Sequence, residues 1–209
     1  IRALERIRDE NLVGILQALK GGHDGEGWGA GKLLKDFEQS LWAEAGRANT
    51  SFDPLKPLRL VETKVGPAWV DYNGHMTEHR YLQVFGDTSD ALLRLIGVDL
   101  AYVEAGRSYY TVETHIRHLG EAKLGQAIHS TCQILSVDEK RLHVFHTLHD
   151  TVTGEALASA EHMLLHVDSK AGKATPAPAV ILDKVKSIAE AHANLVAPEG
   201  VGRHVGQKR

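Results

Sequence analysis

Apolar residues recur at helical spacing from the first position: Ile1, Leu4, Ile7, Leu12, Ile15, Leu16 and Leu19 predict a helix over residues 1–20. Gly21, Gly22, Gly25, Gly27, Gly29 and Gly31 punctuate the loop that follows. Leu33, Leu34, Phe37, Leu41 and Trp42 then predict a second helix ending before Gly46. Asn49, Ser51, Asp53 and Pro54 are turn formers, so residues 49–57 read as a linker. From Leu58 the texture changes. Leu60, Val61, Val65, Trp69 and Val70 predict a strand over 58–70. Tyr81, Leu82, Phe85, Leu92, Leu93, Leu95 and Ile96 form the broad apolar face of a helix stopped by Gly97. Four strands are predicted at 107–118, 126–137, 141–150 and 155–168, rich in Val, Thr, Ile, Tyr and His and separated by Gly120, Gly125, Asp138 and Gly154. Residues 150–154 read as a hairpin loop, with Gly154 suited to positive φ. A last helix over 179–193 precedes a Gly-rich basic tail that is expected to be mobile.

One strand, one long helix and a run of antiparallel strands make an α+β arrangement. A helix of about 18 residues, buried on one face of a curled antiparallel sheet, fits that order. Ile1 lies inside a helical pattern with no capping residue before it, so the chain is expected to be the C-terminal part of a longer polypeptide.

Composition narrows the function classes. With 43% hydrophobic and 24% charged residues among 209, the chain is ordinary globular protein. A formal net charge of −3 gives no electrostatic reason to expect a nucleic-acid partner. No apolar run reaches the roughly 18 residues of a membrane span, and a cytoplasmic location is the expectation. Cys132 is the single cysteine, which excludes an internal disulfide and a Cys-rich zinc site. The histidines of the strands do not suggest a metal site either. His143, His146 and His149 cannot share one face of a strand, because strand side chains alternate. The loop Gly25-Glu-Gly27-Trp-Gly29-Ala30 superficially matches a dinucleotide fingerprint, but a helix precedes it where that chemistry needs a strand.

The stretch Trp69-Val-Asp-Tyr-Asn-Gly-His-Met-Thr-Glu-His-Arg-Tyr81 carries the candidate chemistry. Asp71 ends the first predicted strand, Asn73-Gly74 supplies a sharp turn, and the helix is expected to begin near Met76 or Thr77. The first amides of a helix have no partner within it and can polarise a carbonyl oxygen. A carboxylate just upstream can attack, or activate water. Thioester cleavage needs both parts. The residues alone leave an alternative, since Asp, Asn and Thr before a helix are also its customary N-caps.

Asp71-Tyr-Asn73-Gly74-His75-Met76, followed by Tyr81 and Phe85, resembles the signature of the 4-hydroxybenzoyl-CoA thioesterase group of hot-dog proteins, over residues 58–168. Asn73 and His75 also resemble the Asn-x-His of plant acyl-carrier-protein thioesterases. The resemblance implies a hot-dog domain at 58–169, with five strands around a central helix. It implies an acyl-CoA substrate, no cofactor, and a homodimer or dimer of dimers with sites at the subunit interface. It gives Asp71 the central role, Asn73 and His75 an orienting one, and the amides of Gly74, His75 and Met76 the oxyanion. Thr77 and Glu78 stand where the family usually has two asparagines, which leaves Glu78 as a second candidate base. Arg8-Asp-Glu-Asn-Leu-Val13, Gln17-Ala-Leu19 and Tyr110-Thr-Val-Glu-Thr-His-Ile-Arg-His-Leu119, with Glu121 and Gly125, extend the likeness. Together they resemble bacterial fusions of a carnitine dehydrogenase with a betainyl-CoA thioesterase. On that likeness residues 1–48 correspond to the helical end of a dehydrogenase fused upstream, and 170–209 to a C-terminal helix and tail.

A betainyl group is a permanent cation, which aromatic faces attract by about 0.5–2 kcal/mol each. Trp69, Tyr72, Tyr109 and Tyr110 are candidates for that contact, with core or interface packing as the alternative. Glu113, between Val112 and Thr114, is a candidate counter-ion or base; the alternatives are a pair with Arg117 or a solvent-facing position.

Overall fold

A computed structural model describes residues 53–206, all within one compact unit, Thr50–Arg209. The two helices and the Gly-rich loop expected before residue 49 lie outside the described residues. Among the described residues six strands and three α-helices follow one another: β1 (Leu58–Lys64), α1 (Glu78–Ile96), α2 (Leu100–Glu104), β2 (Arg107–His118), β3 (Ala127–Val137), β4 (Arg141–Asp150), β5 (Ala156–Asp168), β6 (Lys173–Ala174) and α3 (Ala179–His192). All pairings are antiparallel in the order β1-β3-β4-β5-β2, with the short β6 added to β5. This is the hot-dog arrangement: one sheet curled around one long helix. No described helix is long and apolar enough to cross a membrane.

The helix is held by its stripe. Tyr81, Val84, Phe85, Thr88, Ser89, Leu92, Leu93 and Ile96 are buried, three or four residues apart, against Ile128, Cys132, Val144, Leu148, Ala160 and Leu164 of the sheet. Gly97 ends it at φ 103°, where its own amide and that of Val98 close the last turn. β1 is shorter than the predicted 58–70. Gly66 and Pro67 open a single 3-10 turn over Pro67–Trp69, and Pro67 has no amide to give a ladder. α3 packs Ile181 and Val185 beside the far end of α1, and its His192 Nδ1 accepts the Ile134 amide at 2.9 Å. That amide lies beyond the last residue of β3 that β1 pairs, Cys132, so the histidine satisfies an edge donor.

Strand alternation sorts the histidines as the sequence requires. His146 and His162 face α1; His143 and His149 face the opposite side, where His143 meets Glu161 and His149 stacks on His129. His146 Nε2 lies 2.9 Å from Ser89 Oγ, and the ring of Phe85 neighbours both inward histidines. Neither ring nitrogen of His162 has a partner among the described residues, although only 2% of the side chain is exposed. Burial pushes His162 down to about 4. A histidine held neutral in the fold contributes stability above its unfolded value of about 6.5 and loses it as pH falls toward the folded one. Chemical denaturation at pH 7 and pH 5 should therefore show His162→Leu losing about 2 kcal/mol less on acidification than the wild-type chain.

Candidate active site

The turn between β1 and α1 is a tight hairpin locked to a second loop. Val70 bridges Met76, the Asp71 amide donates to the His75 carbonyl at 3.0 Å, and the Thr77 amide donates to the Trp69 carbonyl at 2.9 Å. Gly74 takes φ 78°, the left-handed geometry that the Asn-Gly step supplies. Across from it His75 bridges Lys123, the Met76 amide donates to the Ala122 carbonyl at 2.7 Å, and Leu124 donates to the Gly74 carbonyl. The Tyr81 hydroxyl ties the same loop to the helix, donating to the Gly120 carbonyl at 3.3 Å and accepting the Ala122 amide at 3.0 Å. Tyr81 was legible only as an apolar helix residue of the motif; the loop that it grips comes from 39 or more positions away in sequence.

Asp71 stands exposed at this hairpin. Its Oδ1 accepts the Asn73 amide at 2.8 Å and the His75 amide at 3.3 Å. Desolvation raises its pKa, but those amides, the Asn73 side chain and the nearby His75 outweigh it, so the carboxyl sits below the usual value and is ionised at neutral pH. Asp71 organises the turn and does not cap the helix, whose N-cap is Thr77, and it still presents an anionic oxygen to solvent.

The three amides that the sequence offered for an oxyanion are already engaged. The Gly74, His75 and Met76 amides donate to the Asp71 carbonyl, Asp71 Oδ1 and the Ala122 carbonyl, respectively. α1 begins later than expected, at Glu78, with Thr77 as an N-cap whose side chain donates to the Trp69 carbonyl and caps no amide. The amides of Glu78 and His79 consequently have no acceptor among the described residues. They are the donors left free at the positive end of α1.

The other candidates divide by location. Tyr72 is 96% exposed beside Asp71, and Asn73 and Glu78 are exposed in the same segment. The half-buried His75 lies with Nε2 3.4 Å from Glu121 Oε2. Trp69 is half-buried with the Arg80 guanidinium 5.9 Å from its ring centroid, so that face already has a cation. Tyr110 and Glu113 are not brought to this group. They pair in register with Leu165 and Met163, on the face opposite α1, and Tyr109 is the one turned into the core. Glu113 is exposed, and Arg117 binds Glu199 instead of it. Among the described residues no group of three or more His, Cys, Asp or Glu is placed to hold a metal ion.

A curled antiparallel sheet around one central helix defines the hot-dog class of proteins. The chain belongs to the thioesterase-like superfamily, whose family model matches residues 65–185. It is 70% identical over 209 residues to the L-carnitine dehydrogenase/betainyl-CoA thioesterase of Rhizobium meliloti, covering 100% of this chain and 42% of that protein. The chain therefore spans about two fifths of the length of that relative. It is 44% identical over 150 residues to the betainyl-CoA thioesterase of Pseudomonas aeruginosa, covering 71% of this chain and 94% of that one. A crystal structure of a putative thioesterase from Pseudomonas putida KT2440 superposes with a TM-score of 0.66 at 37% identity, over 74% of this chain and 99% of the other.

The free amides give a test that spares the fold. Proline is tolerated at the first position of a helix, and Thr77 before it already has the extended backbone, φ −69° and ψ 149°, that a following proline requires. Glu78→Pro should keep the thermal melt within a few degrees yet lower kcat by about 10²–10³-fold, the effect of removing one oxyanion donor. Glu78→Gln keeps the amide and should stay near wild-type kcat. A comparable loss in Glu78→Gln would instead assign the function to the carboxylate.

Proposed function

We propose that this chain hydrolyses a short acyl-CoA thioester, betainyl-CoA, to glycine betaine and CoA. The observation that carries the chemistry is the pairing of an exposed, ionised Asp71 with the unengaged Glu78 and His79 amides at the start of α1. The thioester carbonyl oxygen lies against those amides. The Asp71 carboxylate attacks the carbonyl carbon, giving a mixed anhydride that water then hydrolyses to release the acid and free Asp71, or it removes a proton from a water that attacks the carbon directly. The carbon–sulfur bond breaks, and the thiolate of CoA leaves and is protonated. No cofactor enters this reaction, and a cytoplasmic setting suits its substrate. The acyl group follows from the betainyl-CoA thioesterases that the chain resembles over all or most of its length. The coverage of the Rhizobium protein supports a further reading, in which the domain acts while joined to an upstream carnitine dehydrogenase.

A second copy completes the site in this reading. β2 ends the sheet, is 12 residues long and leaves Tyr110 and Val112 about half exposed, at 51% and 56%. An edge strand of that length is a template for another, and antiparallel pairing of two β2 strands joins two sheets into one. Tyr110 and Glu113 then lie at the seam between subunits, where a role toward substrate passes through the pair and not through one chain.

The test is thiol release from betainyl-CoA, acetyl-CoA, benzoyl-CoA and 3,3-dimethylbutanoyl-CoA, the last a carbon isostere of the betainyl group without its charge. Betainyl-CoA should be turned over fastest, and Asp71→Asn should lower kcat by about 10²–10⁴-fold. Equal turnover of the uncharged isostere would remove the cation from the specificity. Unchanged turnover in Asp71→Asn would remove Asp71 from the chemistry, and binding of the esters without thiol release would leave a CoA-ester-binding module.

A further inference from the structure

The C-terminal tail, expected to be mobile, crosses the face of the sheet opposite α1 between Val196 and Gly202. Its path follows one row of that face. Gln133, Phe145, Glu161 and His115 are successive register partners across β3, β4, β5 and β2, with Arg117 two positions along β2. Gln133 Nε2 donates to the Val196 carbonyl at 3.4 Å, Arg117 Nη1 donates to the Glu199 carbonyl at 3.1 Å, and Arg117 Nη2 meets Glu199 Oε1 at 3.4 Å. The Gly202 amide donates to Glu161 Oε2 at 2.7 Å, and His143 Nε2 lies 2.7 Å from Glu161 Oε1. The glycines permit the close fit. Gly200 sits at φ 103°, and a Cβ there would lie 2.2 Å from Arg117 Nη1.

Under the strap the face has the character of a buried layer. Phe145 is 3% exposed, Gln133 5% and Ser159 3%, and their neighbours are Thr131, Thr147 and Met163. Its charged groups in this row are Glu161 and Arg117, and the strap engages both. Sheets stack through faces of this kind. A two-fold axis between those residues would set Glu161 of one copy against Arg117 of the other, a self-complementary contact.

We propose that residues 194–203 are a built-in occupant of this face, which a second copy of the same face takes when the strap is displaced. Assembly then stops at the pair formed along β2, because face-to-face stacking of two such pairs is blocked by residues 194–203. The inference rests on the edge-pairing reading for the number two. Its criterion is a doubling of particle mass relative to the 209-residue chain, whether that chain holds one copy or two.

Light scattering on the intact chain, on a chain ending at Ala193, and on full-length Gly200→Val decides it. Valine cannot adopt the Gly200 backbone and collides with Arg117. The intact chain should hold two copies, and both variants should shift to four as concentration rises. Trypsin should cut after Arg203 at least tenfold faster in Gly200→Val than in the intact chain. An intact chain already of four copies overturns the proposal, as do folded variants that keep the intact chain's mass. Unchanged cleavage after Arg203 would show that the Gly200 contact does not hold the strap, against the proposal. A single-copy intact chain would refute edge pairing, and the strap would then be judged on whether its removal doubles that mass.

Discussion

Phe85, Leu92 and Ile96 are wholly buried where α1 lies in the curl of the sheet, and the remainder of the domain is arranged around that contact. Each such side chain contributes about 1.5–3 kcal/mol by leaving water, so a slide or rotation of the helix that exposed two of them would be prohibitive. The stripe fixes the depth and rotation of α1, and with them the point in space where its first amides emerge. A helix start is a weak anion site anywhere; here it is a fixed one, because the far end is anchored by packing and closed at Gly97.

The near end is held by hydrogen bonds where apolar contacts run out. Tyr81, one turn into α1, grips the 119–126 loop through its hydroxyl, and that loop's Ala122 carbonyl takes the Met76 amide. Every amide from Gly74 to Thr77 is thereby engaged, and those of Glu78 and His79 are left over. The same wiring places Asp71, whose carboxylate accepts two amides of the turn and is held ionised by them. The structural role of Asp71 and the catalytic one proposed for it do not compete, because the bonds that shape the turn also favour the charged form.

The two faces of the sheet have different occupants. Toward α1 the strands present Ile, Val, Leu and Ala with an interleaved polar pair, His146 and His162. Away from it they present Gln133, Phe145, Glu161 and Arg117, crossed by the C-terminal strap. Among the described residues β1 and β2 end the sheet, and β2 is the longer, 12 residues against 7. A sheet that is filled on one side, strapped on the other and bounded by one long edge strand is directed toward edge-to-edge association.

The sequence by itself determined the elements. The 3.6-residue stripe from Tyr81 to Ile96, the alternating strands, and the stops at Gly97, Gly120, Gly125 and Gly154 are local consequences of side-chain shape and backbone freedom. Each is found within a residue or two of its predicted place, apart from the early end of β1 at Gly66-Pro67. The motif likewise singled out Asp71, because a carboxylate, an Asn-Gly turn and a helix start lie within eight residues of one another. Tertiary structure decided which groups near Asp71 are free. The Met76 amide is engaged by Ala122, Tyr81 reaches Gly120, and Glu113 and Tyr110 turn away from α1 because of a bulge between Thr111 and Glu113 and the register of β5. None of this is written in local spacing, since each depends on a partner dozens of residues distant. The glycines of the tail show the same limit: composition equates them with looseness, whereas Gly200 is there so that Arg117 can pass close over the backbone.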